Sequence, residues 1–198
     1  MPAAYDSNHK RRELVRAAKA LLHEQGFHRT SLADVAARAS IPLGNVHYYF
    51  KTKESLAEAV IASHEAALLE LFGGWSRKFD EPQKRLRALV RAPLDGAEGI
   101  LRFGCPHGSL CQELEKLGAD APLAKAGVRL LAVYLDWAEA QFREVGFRNR
   151  EPRALAEQLV SSIQGTLLIS HTMRSKTLLA QQLRRIEHWL DETTSQSS

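Results

Sequence analysis

The sequence predicts an all-α fold, in which an N-terminal three-helix helix-turn-helix domain is joined by a long helix to a larger C-terminal helical domain. Three observations lead there. Apolar residues recur at three- and four-residue spacing in segment after segment. Proline opens successive segments, at Pro82, Pro106, Pro122 and Pro152, while Gly26 and Gly118 close others. Charge is unevenly divided: the 198-residue chain has a net charge of +4, and through Glu54 nine Lys/Arg stand against five Asp/Glu, while in the remainder eighteen stand against eighteen. All of the net positive charge lies on the N-terminal segment, as a nucleic-acid contact requires. A hydrophobic content of 44% excludes a disordered chain. No apolar run approaches the roughly 20 residues of a membrane span, and Met1 to Lys10 lacks the apolar core of a signal peptide. A cytoplasmic protein without a membrane partner is expected.

The first helix is expected from His9 to Gln25, with Leu14, Ala17, Ala18, Leu21 and Leu22 on one face and Gly26 as its stop. Ser31 caps a second helix, Leu32 to about Ala39, with Asp34 three residues on as the acidic partner of the amides. Leu32, Val35, Ala36 and Ala39 turn to the core. Ser40-Ile41-Pro42 breaks the pattern, and a third, short helix starts at about Leu43 with Val46 and Phe50 as buried anchors. Gly44 costs such a helix roughly 1 kcal/mol relative to alanine, which suggests a close approach to its backbone. The outward face carries amide, imidazole and phenol groups and is followed by two lysines, a set that suits a helix in a major groove. The candidate DNA contacts are Thr30, Ser31, Leu43, Gly44, Asn45, His47, Tyr48, Tyr49, Lys51 and Lys53.

The ordered pieces Ala17-Ala18, Leu21-Leu22, Gly26-Phe27, Thr30-Ser31, Val35-Ala36, Ile41-Pro42-Leu43-Gly44, Tyr48-Tyr49-Phe50 and Lys51-Thr52-Lys53-Glu54-Ser55-Leu56 resemble the DNA-binding domain of the TetR/AcrR family of bacterial transcriptional regulators. The resemblance implies an all-helical homodimer on a roughly palindromic double-stranded DNA operator, a repressor released when a small hydrophobic or electrophilic molecule occupies the C-terminal domain. Two positions depart from the family pattern. Ser40 stands where glycine is usual, so the turn is expected to form without a residue free to take positive φ. His47 stands where tyrosine is usual; protonated, it would supply a charged contact that is lost as pH rises.

From Glu54 a long helix runs to about Phe72 or beyond, with Gly73-Gly74 ending or bending it. The working division is residues 1–55 for DNA and residues 56–198 for effector binding and dimerisation. Asp80-Glu81-Pro82 opens a helix that fails at Pro93, and residues 93–104 read as irregular or as a broken helix. Pro106 to Leu117 is helical. From Val128 to Phe142 the next helix is apolar on nearly every side, which predicts burial. The last two helices run from Glu151 to about Arg174 and from Thr177 to Asp191, with Thr193 to Ser198 as a frayed tail. Their stripes, Leu155, Leu159, Ile163 and Leu167 on one and Leu179, Leu183, Ile186 and Leu190 on the other, are candidates for a four-helix dimer interface. The alternative is that both stripes cover the chain's own core.

Gly104-Cys105-Pro106-His107-Gly108-Ser109-Leu110-Cys111 is the one chemically pointed stretch outside the motif. Cys105 near a helix start can cap it or act as a sensing thiol. Cys105, His107 and Cys111 can be tried as metal ligands, although the six-residue spacing matches no zinc pattern, and neither a metal nor a cofactor is expected. Cys105 and His107 can also border an effector pocket with Phe103, Tyr134 and Trp137. An enzyme using Cys105 as nucleophile and His107 as base lacks an orienting third group, so no catalytic residues are assigned.

Overall fold

The computed structural model describes residues 3–195, with side chains from residue 8 onward, and the regular elements among them are helical. Helix α1 spans Ala3–Gln25, a longer run than the His9 start expected from sequence, and it stops at Gly26, whose φ is +85°. Helix α2 is Leu32–Ala39 and α3 is Leu43–Tyr49. Thr52 starts α4, Lys53–Lys78: its hydroxyl accepts the Ser55 N–H at 3.1 Å, and its own N–H donates to Ser55 Oγ at 3.3 Å. This helix passes straight through Gly73-Gly74. Helix α5, Pro82–Arg91, runs into a 3₁₀ turn at Ala92–Leu94. The stretch expected to be irregular then contains α6, Ala97–Phe103, closed by Gly104 at φ +86°. Three further helices open on or beside prolines: α7 Pro106–Glu115, α8 Pro122–Val145 and α9 Glu151–Thr172. Helix α10 is Lys176–Ser195, so the expected tail is helical through Ser195, and residues 196–198 lie outside the described residues.

The helices gather into two compact units, one formed by residues up to 66 together with 109–130, the other by 67–108 together with residues from 131 on. The core of the first holds Leu14, Leu21, Phe27, Val35, Val46 and Phe50 on α1 to α3 and at their junctions, with Val60 and Ile61 from α4. Glu113 of α7 accepts the Phe27 N–H at 2.5 Å and packs so closely over Gly26 that a side chain there would collide with its carboxylate.

In the second unit α10 packs along both α9 and α5. Arg87 is paired with Asp191 at 2.6 Å, and Arg91 is paired with Glu187. Two sequence expectations are corrected here. The stripes proposed for a dimer interface face inward: Leu159, Ile163, Leu167, Leu179, Leu183, Ile186 and Leu190 are all buried within the chain, and Leu155 is half-buried. Packing α9 against α10 and α6 consumes those faces and leaves Leu168, Ile169 and Met173 exposed by 56%, 54% and 65%. Nor is α8 wholly buried. Leu130, Ala138 and Phe142 are, while Val128 is exposed and Leu131 to Leu135 are half-buried, because the chain covers only part of the helix's circumference.

Candidate nucleic-acid interface and effector cavity

The helix-turn-helix is locked by a reciprocal cap. Ser31 Oγ accepts the Asp34 N–H at 3.1 Å, and Asp34 Oδ2 accepts the Ser31 N–H at 2.8 Å and the Ser31 hydroxyl at 2.7 Å. These bonds, the hydroxyl's first and the backbone's second, hold the Asp34 carboxyl below the ordinary carboxylate range. At the other end of α2 the chain turns through Ser40 at φ +55°, ψ +37°, with the Ile41 N–H donating to Ala36 O at 3.0 Å. The turn is therefore made by a left-handed serine, against the expectation that a non-glycine residue would avoid positive φ. Two backbone bonds from this turn hold a conformation that costs a non-glycine residue about 1–2 kcal/mol.

Downstream, α3 buries Val46 on the core side, and Phe50, which follows the helix, is buried with it under the Arg11 guanidinium, 5.2 Å from the ring centroid. Leu43, Gly44, Asn45, His47 and Tyr48 then all face outward, Tyr48 being 73% exposed, and Tyr49 is half-buried edge-on to it at 5.0 Å. No protein atom comes within 4 Å of where a Gly44 side chain would begin, so nothing inside the molecule requires glycine there.

Three other candidates sit differently. Thr30 is only 3% exposed, and its hydroxyl donates to Gly26 O at 2.7 Å, so it braces the α1–α2 turn from inside. The Ser31 hydroxyl is engaged in the cap. Lys53 donates to Phe27 O at 3.1 Å and His28 O at 3.4 Å, with its ammonium 4.4 Å from the centre of the Phe27 ring. Lys51, two residues earlier, is exposed and makes no ion pair among the described residues. Sequence spacing placed these side chains in the motif, but it does not reveal which donors the local backbone has already claimed.

The second unit contains a cavity of about 180 Å³. Leu68, Phe72 and Trp75 of α4 form one wall, Leu89 of α5 and Ile100 of α6 another, and Ile163 and Leu167 of α9 the floor. Cys105, His107 and Tyr134 lie on its lining, with His107 Nδ1 2.6 Å from the Tyr134 hydroxyl. Trp137 and Phe103 do not line it. Trp137 stands one layer back, stacked on Phe72 with centroids 4.3 Å apart, and Phe103 ends α6 beneath the Arg102 guanidinium. Gln164 does line the cavity, though the sequence offered no signal for it: a lone glutamine between apolar α9 positions reads as a surface residue. Cys105 Sγ accepts the Gly108 N–H at 3.3 Å, while the buried Cys111 thiol donates to Gly127 O at 3.3 Å. No group of three His, Cys, Asp or Glu among the described residues could hold a metal ion. No helix among them is long and apolar enough to cross a membrane.

The family model for bacterial regulatory proteins of the tetR family matches residues 14–60, the span that builds this helix-turn-helix. Over 169 residues the chain is 25% identical to an uncharacterized HTH-type transcriptional regulator in the lacX 3' region of Lactococcus lactis subsp. lactis, covering 83% of this chain and 85% of that protein. In fold it is similar to a TetR transcriptional regulator from Legionella pneumophila, with a TM-score of 0.79 at 21% identity over 91% of this chain and 95% of that one. FadR from Bacillus subtilis, solved in complex with stearoyl-CoA, aligns with a TM-score of 0.70 at 16% identity over 90% of this chain and 96% of its own. A matched helix-turn-helix at one end and a TetR-regulator fold over nine-tenths of the length go together: residues 14–60 are a DNA-binding domain of the tetR family, carried in the fold of TetR transcriptional regulators.

Proposed function

We propose that the protein is a homodimeric, cytoplasmic repressor that holds a roughly palindromic operator and leaves it when a small molecule fills the cavity beside His107 and Tyr134. Residues 1–55 read the DNA, and residues 56–198 bind the effector and the second copy. The observation that carries the reading is the outward face of α3, where Asn45, His47 and Tyr48 stand exposed around a glycine that no other part of the protein approaches. Asn45 is suited to a base edge, and Tyr48 and Lys51 to phosphates.

Two reading heads must enter successive major grooves about one helical turn apart, which calls for a two-fold partner. The face of α9 that carries exposed Leu168 and Ile169, continued by Met173 just beyond the helix, with small Ser161 and Gly165 earlier on it, suits a second copy. An effector that favours a different setting of α4 moves the heads off their half-sites, and DNA and effector then weaken each other by the same factor. Cys105 and His107 act here as cavity wall and not as a catalytic pair. The thiol caps α7, and one imidazole nitrogen is engaged by Tyr134.

The test is a salt titration on a duplex that the protein itself selects from a random library. With about four to eight phosphates engaged, log K falls against log salt with a slope of roughly −4 to −7. A flat response overturns the proposal.

A further inference from the structure

The size and chemistry of the cavity narrow the class of molecule it takes, an inference that rests on the cavity being the effector site. A cavity of roughly 150 Å³ lined by aliphatic and aromatic groups holds one benzene ring. The cavity here measures about 180 Å³, which adds space for about one group the size of a water molecule, ~30 Å³. Both figures lie well below the roughly 300–1,000 Å³ of pockets that enclose drug-sized ligands, and because the cavity is open on one side its volume sets the size of the buried part of a ligand, about one ring.

Its lining contains no Lys, Arg, Asp or Glu. A carboxylate or phosphate buried there would find no permanently charged partner, since the one ionisable base on the lining, His107, is already hydrogen-bonded to Tyr134, and burial of an unpaired charge is strongly disfavoured. The walls offer ring faces and edges instead: Phe72 and Trp75 have centroids 5.5 Å apart, and Tyr134 meets Phe72 edge-on at 5.8 Å. Aromatic ligands gain from both arrangements.

Polar groups gather at one end, and they are not equally available. His107 and Tyr134 hold each other at 2.6 Å, and the Cys105 thiol accepts the Gly108 N–H. The Gln164 carboxamide is different. It lies against Gly108, where a side chain's first carbon would sit only 2.6 Å from Gln164 Oε1, and it has no hydrogen-bond partner among the described residues. Glycine at 108 is what leaves room for that amide at the cavity edge. An amide carries both a donor and an acceptor, and a hydroxyl on the ligand can use either.

We propose that the cavity takes an uncharged, single-ring phenol, its ring against Phe72, Trp75 and Tyr134 and its hydroxyl hydrogen-bonded to the Gln164 carboxamide. Isothermal titration calorimetry on the full-length protein tests this with p-cresol, toluene, benzoate and stearoyl-CoA as probes. The expected order is p-cresol above toluene by about three- to tenfold, the worth of one neutral hydrogen bond, with no measurable binding of benzoate or of the acyl-CoA. Gln164→Leu keeps the volume and removes the amide. In that variant toluene binds as before, which reports an intact cavity, and p-cresol falls to the toluene level.

Benzoate or stearoyl-CoA binding as tightly as p-cresol overturns the assignment. So does a Gln164→Leu protein in which p-cresol keeps its advantage over toluene. Operator release is measured separately with the same p-cresol. Binding without release refutes the cavity's role as effector site and leaves the ligand class standing, whereas release by stearoyl-CoA alone keeps the effector mechanism and refutes the class.

Discussion

Helices α3 and α9 each present a row of side chains to the outside, yet they carry that information differently. Helix α3 has one apolar side, anchored by Val46, and everything else on it is polar, aromatic or glycine apart from Leu43 at its start. Helix α9 has two apolar sides. Leu159, Ile163 and Leu167 make one, and Leu168, Ile169 and the following Met173 make the other. A helix with a single apolar stripe declares its orientation, because the stripe must find the core. A helix with two stripes does not, and only packing against α10 and α6 decides which of them the chain keeps for itself.

The sharpest way to break this comparison is to mutate both sides of α9. Leu159→Ala, fully buried, should cost about 2–5 kcal/mol of stability by chemical denaturation. Leu168→Glu, more than half exposed, should leave subunit stability within about 0.5 kcal/mol. If the proposed dimer forms through this face, the variant should also be a monomer in sedimentation and lose operator binding. A stable Leu168→Glu dimer would remove this face from the interface.

On α3 the corresponding experiment is Gly44→Ala. The added methyl enters open space, so the helix should gain about 1 kcal/mol. DNA affinity should fall about tenfold, ~1.4 kcal/mol, measured by fluorescence anisotropy. Unchanged affinity would mean that the first turn of α3 does not lie against the duplex. The two nearby lysines extend the contrast: Lys51→Ala should flatten the salt slope by about one per subunit without changing stability, while Lys53→Ala should lower the melting temperature, since its ammonium is held by the Phe27 and His28 carbonyls.

The same contrast explains what was legible beforehand. The cap at Ser31 and Asp34, the anchors Val46 and Phe50, and the proline-led starts of α5, α7, α8 and α9 are local events, set by residues a few positions apart, and they can be read from sequence. The setting of Lys53, and the inward turn of Leu159, Ile163 and Leu167 on α9, depend on partners that the fold supplies, the Phe27 carbonyl and α10. Gln164 entered the cavity wall unannounced for that reason too. The room for its amide comes from Gly108, far away in sequence.

Ser40 offers a smaller test of the turn that aims α3. Its left-handed backbone costs a non-glycine residue about 1–2 kcal/mol, and glycine in its place gives back roughly 0.5–1 kcal/mol as unfolded-chain entropy. Ser40→Gly should therefore stabilise the head by about 0.5–1 kcal/mol, seen as a raised denaturation midpoint. A destabilised variant would show that the serine side chain holds the turn in a way its backbone does not reveal.

The smallest effect concerns pH, and its sign follows from the cap on the other end of α2. Asp34 is held below the ordinary carboxylate range by the Ser31 hydroxyl and then the Ser31 N–H. A carboxyl whose pKa is depressed on folding stabilises the folded state fully above its unfolded pKa of about 3.9, and that contribution is lost as pH falls through the lower folded value. Acidification should thus loosen the start of α2 only below about pH 4, leaving the motif indifferent to pH across the neutral range as far as this cap is concerned. Asp34→Asn keeps an acceptor without the charge, so its stability should converge with that of the parent protein at low pH and lie beneath it at neutral pH. Parallel melting curves that never converge would assign the stabilisation to something other than the ionised cap.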